Sequence, residues 1–187
     1  MSEQTPEHRI LIAGFGGQGI LTLGKILCNA AINEGLRTTY MPSYGTEVRG
    51  GTCNCHVVIS DNEIFSPYVE RAQSLIILNE PSLQRFQPML RPGGLLVCDS
   101  SMVETEPQNN GDPTVAVAVP ATDIAAELGN VLVANVILLG TFISMTQLCR
   151  PSTIEQAIKE WLSSRKKDAI PVNITAFHRG LELADGE

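Results

Sequence analysis

Basic residues are scarce in this sequence. Only 13 Lys and Arg stand against 20 Asp and Glu in 187 residues, so the formal net charge is -7. Because nucleic-acid binding needs clustered Lys and Arg, no nucleic-acid partner is expected. Aromatic residues make up 5% of the chain, yet hydrophobic residues make up 43%. That is enough for one domain over residues 1–187, burying roughly 70% of the surface of the unfolded chain.

The sequence also lacks a signal-like start and a membrane-spanning run. Residues 1–9 are polar, and five cysteines without a secretory start indicate free thiols in the cytoplasm. The main apolar segment, Val131–Met145, would extend about 22 Å as a helix, short of the ~30 Å hydrocarbon core. We interpret it as a helix buried either in the core or in a subunit interface.

Short apolar runs of strand length alternate with helical patterns in the first two thirds of the chain. Strands are predicted at Arg9–Ala13, Arg37–Met41, Thr52–Ser60, Ser74–Leu78, Leu95–Cys98 and Val115–Val119. A helix after the first strand should end at Gly35, and another should end at Pro92, Gly93 and Gly94. We therefore predict an α/β fold, a single-domain Rossmann-like three-layer sandwich with a mainly parallel sheet.

The last third reads as helical. Helices are predicted at Thr122–Leu128, Val131–Met145, Ser152–Arg165 and Ile174–Leu183. Ser152 and Glu155 have the spacing of a capping box, which would start the third of these. The polar stretch Glu104–Pro113 is expected to be a surface loop.

The third strand has a period of two. Cys53, Cys55, Val57 and Ile59 should share one face, whereas Thr52, Asn54, His56 and Ser60 should form a wetter one. Two cysteines beside a histidine suggest a metal, but the other three cysteines lie singly in apolar segments, so buried thiols are the better interpretation. We predict no metal ligands and no catalytic residues, since the histidines His8, His56 and His178 have no companions for acid–base chemistry.

The first motif is a glycine-rich loop between a strand and a helix. Gly14, Gly16 and Gly19 form G-x-G-x-x-G, a pattern that lets a phosphate approach the backbone and the start of a helix. Gly17 and Gln18 add a further glycine and an amide that could bind a ligand or a neighbouring subunit. The alternative is that the glycines only allow the helix to pack closely on the sheet.

An ordinary dinucleotide site is incomplete here. The acidic residue that would hold a nicotinamide ribose is expected about twenty positions after the loop, where Thr39–Pro42 lie instead.

The second motif follows a strand at residues 44–51. Glu47 and Arg49 are two residues apart, so they could pair and leave Arg49 able to bind a carboxylate or phosphate. Tyr44 and flanking glycines favour a binding loop, whereas a solvated charged turn is the alternative.

Taken in order, these segments resemble the gamma subunit, or the matching fused domain, of the 2-oxoacid:ferredoxin oxidoreductases, a group that includes the pyruvate/ketoisovalerate gamma subunits. The resemblance is carried by RILIAGFGGQGILTLGKIL, PSYGTEVRGGTCNCHVVISDNEIFSP, LRPGGLLVCDSS, PATDIAAELGN and ANVILLG. The second segment is more similar to the 2-oxoglutarate branch than to the indolepyruvate branch.

The resemblance implies one part of a heteromeric enzyme. Such enzymes decarboxylate a 2-oxoacid on thiamine diphosphate, pass electrons through iron–sulfur clusters to ferredoxin and form an acyl-CoA. Thiamine diphosphate, Mg and the clusters would lie on alpha, beta and ferredoxin-like delta partner subunits, and coenzyme A would be a co-substrate near this chain. The residues expected to face it are Gly14, Gly16, Gly17, Gln18, Gly19, Tyr44, Gly45, Thr46, Glu47, Arg49, Gly50 and Gly51.

Two other functions stay open on the sequence. A free-standing nucleotide- or NAD-binding protein would use the glycine loop, and a pure assembly scaffold would use both loops only for partner contacts.

Overall fold

The structure is a computed structural model, and it describes residues 7–44, 52–105 and 114–184. The strands are β1 (His8–Phe15), β2 (Arg37–Tyr44), β3 (Thr52–Ser60), β4 (Ala72–Ile77), β5 (Leu90–Asp99) and β6 (Val115–Val119). The helices are α1 (Ile20–Asn33), α2 (Glu80–Phe86), α3 (Ala121–Glu127), α4 (Ala134–Thr146), α5 (Pro151–Ser163) and α6 (Ile170–Ala184). Short 3₁₀ turns lie at Gln87–Met89, Val131–Val133 and Lys167–Ala169.

The described strands form one sheet in the order β2-β3-β1-β4-β5-β6. The pairs β1/β4, β4/β5 and β5/β6 are parallel, and β3 is antiparallel to both of its neighbours. A parallel connection needs a crossover of about a dozen residues, and too few separate β2 from β3, so β3 returns antiparallel. The predicted α/β fold with a mainly parallel sheet and a helical C-terminal third is confirmed.

The two faces of the sheet bury two separate apolar clusters. The larger lies under α1, α3, α4, α5 and α6, and the smaller lies under α2 together with Val69 and Val103. In the described residues the three-layer arrangement is therefore unequal, with five helices on one face of the sheet and α2 on the other.

Helix α4 is buried within the chain itself. Every residue from Ala134 to Ile143 is buried, and Gly140 meets Gly180 of α6 backbone to backbone. Thr141 Oγ1 donates to the carbonyl of Gly180 at 3.0 Å. Burial in the core is confirmed for Ala134–Ile143, whereas Val131 and Leu132 at the start of the predicted segment are more than half exposed. Within the described ranges no helix has the length and hydropathy that a bilayer span requires.

One predicted helix boundary is wrong. Pro92, Gly93 and Gly94 lie inside β5, where a register shift between Ala72 and Ser74 of β4 accommodates them. Helix α2 had already ended at Phe86. The boundary predicted at Gly35 is confirmed, since Gly35 follows the end of α1 with a φ of 82°.

The predicted capping box of α5 is also wrong. Pro151 occupies the first turn after Arg150, so Ser152 lies inside the helix, and no side chain caps it. Glu155 instead contacts His178 of α6 at 2.7 Å, which also gives that histidine a partner that the sequence did not predict.

The predicted wetter face of β3 is polar in composition but largely buried. Asn54 and Ser60 are 5% and 2% exposed, because α2 and the segment around Val69 cover this side of the sheet. The opposite face, with Cys53, Cys55, Val57 and Ile59 in the larger core cluster, is as predicted.

Candidate functional site

The strands that lead into the two predicted motifs end at one edge of the sheet. Gly14 of β1 and Tyr44 of β2 both pair with Cys53 of β3, one on each side. The carboxyl ends of β1, β2 and β4 therefore lie along the same edge, which is where ligands bind in open α/β sheets. Of the second predicted loop, Gly45, Thr46, Glu47, Arg49, Gly50 and Gly51 lie outside the described residues.

The glycine loop turns directly from β1 into α1. Gly17 and Gly19 have φ values of 100° and 77°, in the left-handed region where a side chain is disfavoured. Gly19 is the N-cap of α1, and the helix start has no side-chain cap and no acidic residue in its first turn. The N–H groups at this end therefore remain available to an anion.

The side chain of Gln18 holds the loop together. Its Oε1 accepts from the N–H of Phe15 at 2.6 Å and from Nδ2 of Asn79 at 3.1 Å. Its Nε2 donates to the carbonyl of Leu78 at 3.1 Å. The amide that the sequence offered as a ligand contact thus joins the loop to the end of β4, and we assign it a positioning role.

Asn135 completes the support of the loop from α4. Its Nδ2 donates to the carbonyl of Gly19 at 3.1 Å across a sequence separation of 116 residues. A side chain at Gly19 would overlap this amide group. The sequence around Asn135 predicted an apolar helix but not this hydrogen bond, because sequence spacing does not link Asn135 to a residue as distant as Gly19.

A cavity opens beside the loop on the helical side. It has a volume of about 370 Å³, and its lining includes Gly17, Gly19 and Asn135. Trp161, Arg165 and Lys166 also line it, and the guanidinium of Arg165 lies 4.1 Å from the centroid of the Trp161 ring. Neither basic residue was singled out by the sequence motifs.

The cysteines behave as buried, protonated thiols. Burial raises the pKa of Cys28 and of Cys98 to about 11 and that of Cys149 to about 12, and it raises the pKa of Cys55 still further. Thiols of this kind are poor nucleophiles and poor metal ligands. Within the described ranges, no three His, Cys, Asp or Glu side chains are grouped as a metal site would need.

The histidines at the sheet have structural partners. Nδ1 of His56 accepts from the N–H of Val69 at 3.0 Å, as expected for a hydrogen-bonded strand residue. His8 contacts Ser74 Oγ at 2.9 Å. Burial, reinforced by the positive charge of Arg91, lowers the pKa of His8 to about 4.

The fold and the loop define an α/β domain with a Rossmann-like ligand edge. A sequence profile for the pyruvate ferredoxin/flavodoxin oxidoreductase family matches residues 9–183. The chain belongs to this family, so the family resemblance seen in the motifs is confirmed.

Relatives with assigned roles are similar over most of the chain. Ketoisovalerate oxidoreductase subunit VorA of Methanothermobacter thermautotrophicus is 39% identical over 96% of this chain, which spans only 37% of VorA. The 2-oxoglutarate synthase subunit KorC of Methanocaldococcus jannaschii is 34% identical over 94% of this chain and 92% of its own length.

Solved structures share the fold. The gamma subunit of a keto/oxoacid ferredoxin oxidoreductase from Geobacter sulfurreducens superposes with a TM-score of 0.82 at 28% identity, covering 96% of this chain and 99% of its own. The 2-oxoglutarate:ferredoxin oxidoreductase of Magnetococcus marinus, solved with 2-oxoglutarate, coenzyme A and succinyl-CoA, has a TM-score of 0.88 at 20% identity. This chain covers 32% of that polypeptide, and at this identity the likeness speaks for the fold alone.

Proposed function

We propose that this chain is the gamma subunit of a heteromeric 2-oxoacid:ferredoxin oxidoreductase that acts on 2-oxoglutarate in the cytoplasm. The observation that carries the proposal is the similarity to KorC, which extends over 94% of this chain and 92% of that subunit.

The residues at the ligand edge favour a role for this subunit in shaping the site and not in the chemical step itself. The described part of the ligand edge offers backbone N–H groups and amide side chains, together with buried thiols of raised pKa. Thiamine diphosphate, Mg and the iron–sulfur clusters belong, in this proposal, to alpha, beta and ferredoxin-like delta partners. This subunit supplies shape and hydrogen bonds at the side from which coenzyme A enters.

The proposed contact residues belong to the two predicted loops. Gly16, Gly17 and Gly19 provide the close backbone approach, and Gln18 fixes the loop that carries them. Gly14 is buried and makes room for the side chains of Gln18 and Ile20, so its predicted contact is replaced by a packing role. The second loop, from Tyr44 to Gly51, contributes Glu47 and Arg49, with Arg49 as the group that binds a carboxylate, a phosphate or a partner chain.

A branched-chain 2-oxoacid is the second candidate substrate. The identity to VorA, 39%, is higher than that to KorC, 34%. The segment PSYGTEVRGGT resembles the 2-oxoglutarate branch more than the indolepyruvate branch, and the substrate side chain is contacted chiefly by partner subunits in this proposal.

The test is purification of the native complex through a tag on this chain. We expect a thiamine-diphosphate subunit and a ferredoxin-like subunit to co-purify, and the complex to reduce ferredoxin with 2-oxoglutarate and coenzyme A faster than with 2-oxoisovalerate. A faster rate with 2-oxoisovalerate would select the second candidate. Turnover by the isolated chain, or purification without any thiamine-diphosphate partner, would contradict the subunit assignment.

The role of Arg49 is tested in the assembled complex. Arg49→Ala should raise the KM for coenzyme A, whereas Arg71→Ala should not, because Arg71 is exposed just before β4 begins, at the opposite end of that strand. If Arg49→Ala lowers the yield of complex but leaves the KM unchanged, the loop is a scaffold contact.

A further inference from the structure

Strand β6 forms one lateral edge of the sheet, and its outer side is open. It comes last in the order β2-β3-β1-β4-β5-β6 and pairs in parallel with β5. In the part of the chain that the structure describes, no strand lies on its other side. The backbone N–H and C=O groups on the open side of an edge strand can bind a further strand.

The two lateral edges of the sheet differ in how they resist such pairing. The opposite edge, β2, carries an exposed Arg37 and an exposed Pro42, and charge and proline both discourage the addition of a strand. Strand β6 has neither, since its sequence is VAVAV. An uncharged, valine-rich strand at an open edge pairs readily with another strand. The composition of β6 therefore favours a partner strand, whereas that of β2 disfavours one.

The exposure of the β6 side chains also favours a partner strand. Val115 is 51% exposed, and Ala116 and Ala118 are exposed on the other face of the strand. Of the five residues, Val119 alone is buried. A wholly apolar strand with this pattern leaves apolar surface in water, which a second strand would partly cover.

The direction of each peptide group in β6 follows from one hydrogen bond. The carbonyl of Val119 accepts from the N–H of Ser100, at the end of β5, at 2.8 Å. Because backbone groups alternate from side to side along a strand, those of Val115 and Val117 also face β5. The backbone groups of Ala116 and Ala118 therefore face outward. Each alanine offers one N–H donor and one C=O acceptor to an approaching strand.

The sequence of β6 is symmetric about Val117. VAVAV reads the same in both directions, so an antiparallel copy centred on Val117 matches every residue. Ala116 would lie opposite the partner's Ala118 in a hydrogen-bonded pair, which uses the outward-facing groups of both. Val117 would lie opposite the partner's Val117 in a closer, non-hydrogen-bonded pair. A two-fold interface between identical chains requires such self-complementarity, whereas a strand of another protein would not need it.

We infer that β6 pairs with β6 of a second copy of this chain, antiparallel about a two-fold axis at Val117. The two six-stranded sheets become one continuous sheet. Assembly stops at the dimer, because the pairing uses both open edges and leaves the β2 edges, which Arg37 and Pro42 protect. The inference does not rest on the proposed function, since the interface consists of this chain alone. In a heteromeric enzyme it would join two copies of this subunit.

Disulfide cross-linking of the full-length chain tests the register. Val117→Cys should form a linked dimer under mild oxidation, because the Cα atoms of a non-hydrogen-bonded pair lie about 4.5 Å apart, within the range of a disulfide. Val115→Cys is the matched control. Position 115 is more exposed, but it faces the partner's Val119, so the two new thiols would belong to Cα atoms about 13 Å apart. The native cysteines are buried, so the wild-type chain should give little linked dimer on a non-reducing gel.

Paired charges test the same register without new thiols. Ala116→Glu with Ala118→Glu places carboxylates opposite each other across the two-fold axis and should weaken the dimer about tenfold. Ala116→Glu with Ala118→Lys places opposite charges there and should leave the dissociation constant within about threefold of wild type. Both positions are exposed, so neither pair of substitutions disturbs the core. Sedimentation velocity measures the dissociation constant, and circular dichroism confirms that each variant is folded.

Four results would overturn the inference. They are a wild-type chain that stays monomeric at about 100 µM, equal cross-linking of Val117→Cys and Val115→Cys, equal weakening by the two charge pairs, and cross-linking of Val117→Cys to a different protein in the purified native complex. A chain that dimerises through β6 but co-purifies with no thiamine-diphosphate subunit would retain this interface and lose the proposed function. A chain that stays monomeric on its own yet assembles into an active complex would give the opposite result.

Discussion

The side-chain amide of Asn135 donates to the backbone carbonyl of Gly19 at 3.1 Å, and this hydrogen bond joins the first turn of α4 to the start of α1. The contact leaves no room for a side chain at position 19. It also fixes the orientation of the Asn135 amide, whose buried Oδ1 has no hydrogen-bond partner among the described residues. The glycine loop is therefore shaped by a helix more than one hundred residues away.

Substitution of Gly19 should be costly for that reason. Gly19→Ala combines a φ of 77° with overlap on the Asn135 amide, so we expect the free energy of unfolding to fall by about 2–4 kcal/mol. Gly16→Ala is the control, since its Cβ would meet open space at an ordinary φ, and it should change stability by less than about 0.5 kcal/mol. Urea unfolding of both variants measures the difference, and equal effects would contradict the role of Asn135.

The hydrogen bonds of the Gln18 side chain should stabilise the folded protein as well as hold the glycine loop in place. Gln18→Ala removes the acceptor of the Phe15 N–H and the donor to Leu78, and we expect a loss of about 2 kcal/mol in urea unfolding. Gln84→Ala removes an exposed glutamine whose side chain, among the described residues, bonds Glu80 alone, so it should cost about 0.5 kcal/mol or less. If Gln18→Ala unfolds like the wild-type chain, the side chain does not hold the loop.

The contact between α4 and α6 depends on two glycines. Gly180→Ala would push a methyl group into the carbonyl of Ile137, and the gain in helix propensity cannot offset a forced separation of the helices. We expect the free energy of unfolding to fall by about 3 kcal/mol. Thr175→Ala, on the exposed side of the same helix, is the matched control, and circular dichroism during thermal unfolding distinguishes the two.

Stability should decrease in mild acid because of His8. The pKa of His8 is lowered by burial to about 4, so the unfolded chain, with an ordinary pKa near 6.5, binds the proton more readily. The stabilising contribution is complete above about pH 6.5 and is lost as the pH falls toward 4. Between pH 7 and pH 4, we expect the free energy of unfolding of the His8→Gln variant to fall by about 1–3 kcal/mol less than that of the wild-type chain. If both proteins lose the same stability over this pH range, His8 is not the source of the acid sensitivity.

The five cysteines should be unreactive in the folded protein. All are unpaired and buried, and burial raises the pKa of each thiol, Cys53 included. Iodoacetamide at pH 8 should modify all five within minutes in 6 M guanidinium but react slowly without denaturant. Mass spectrometry of the intact chain counts the added groups, and rapid modification of any native cysteine would show that its segment opens.

Much of the fold could be predicted from local patterns. The six strands and the order of helices follow from apolar runs and their punctuation, as in β1 and α1, because side-chain spacing reports which face is buried. The errors occurred where local signals conflicted with packing. Pro92–Gly94 resemble a helix end but lie in a strand, since pairing with β4 absorbs the irregularity.

Local sequence patterns predicted only part of the candidate site. The spacing of Gly14, Gly16 and Gly19 identified the loop, because left-handed backbone and close approach demand glycine. The partners of that loop, Leu78, Asn79 and Asn135, and the cations at Arg165 and Lys166 were not predicted. Each lies on another element, and no short-range periodicity records which elements come together.

The sequence by itself determined the family, the alternation of strands and helices, and the positions at which the backbone has to be glycine. These properties depend on residues close in the chain, whose spacing is legible without a structure. Only the tertiary structure decided that Gln18 faces inward, that Ala134–Ile143 of α4 are enclosed by their own chain, and that Arg165 and Lys166 line a cavity beside the glycine loop. Those features arise from packing between distant segments, where burial and hydrogen bonding select one arrangement among many that local sequence allows.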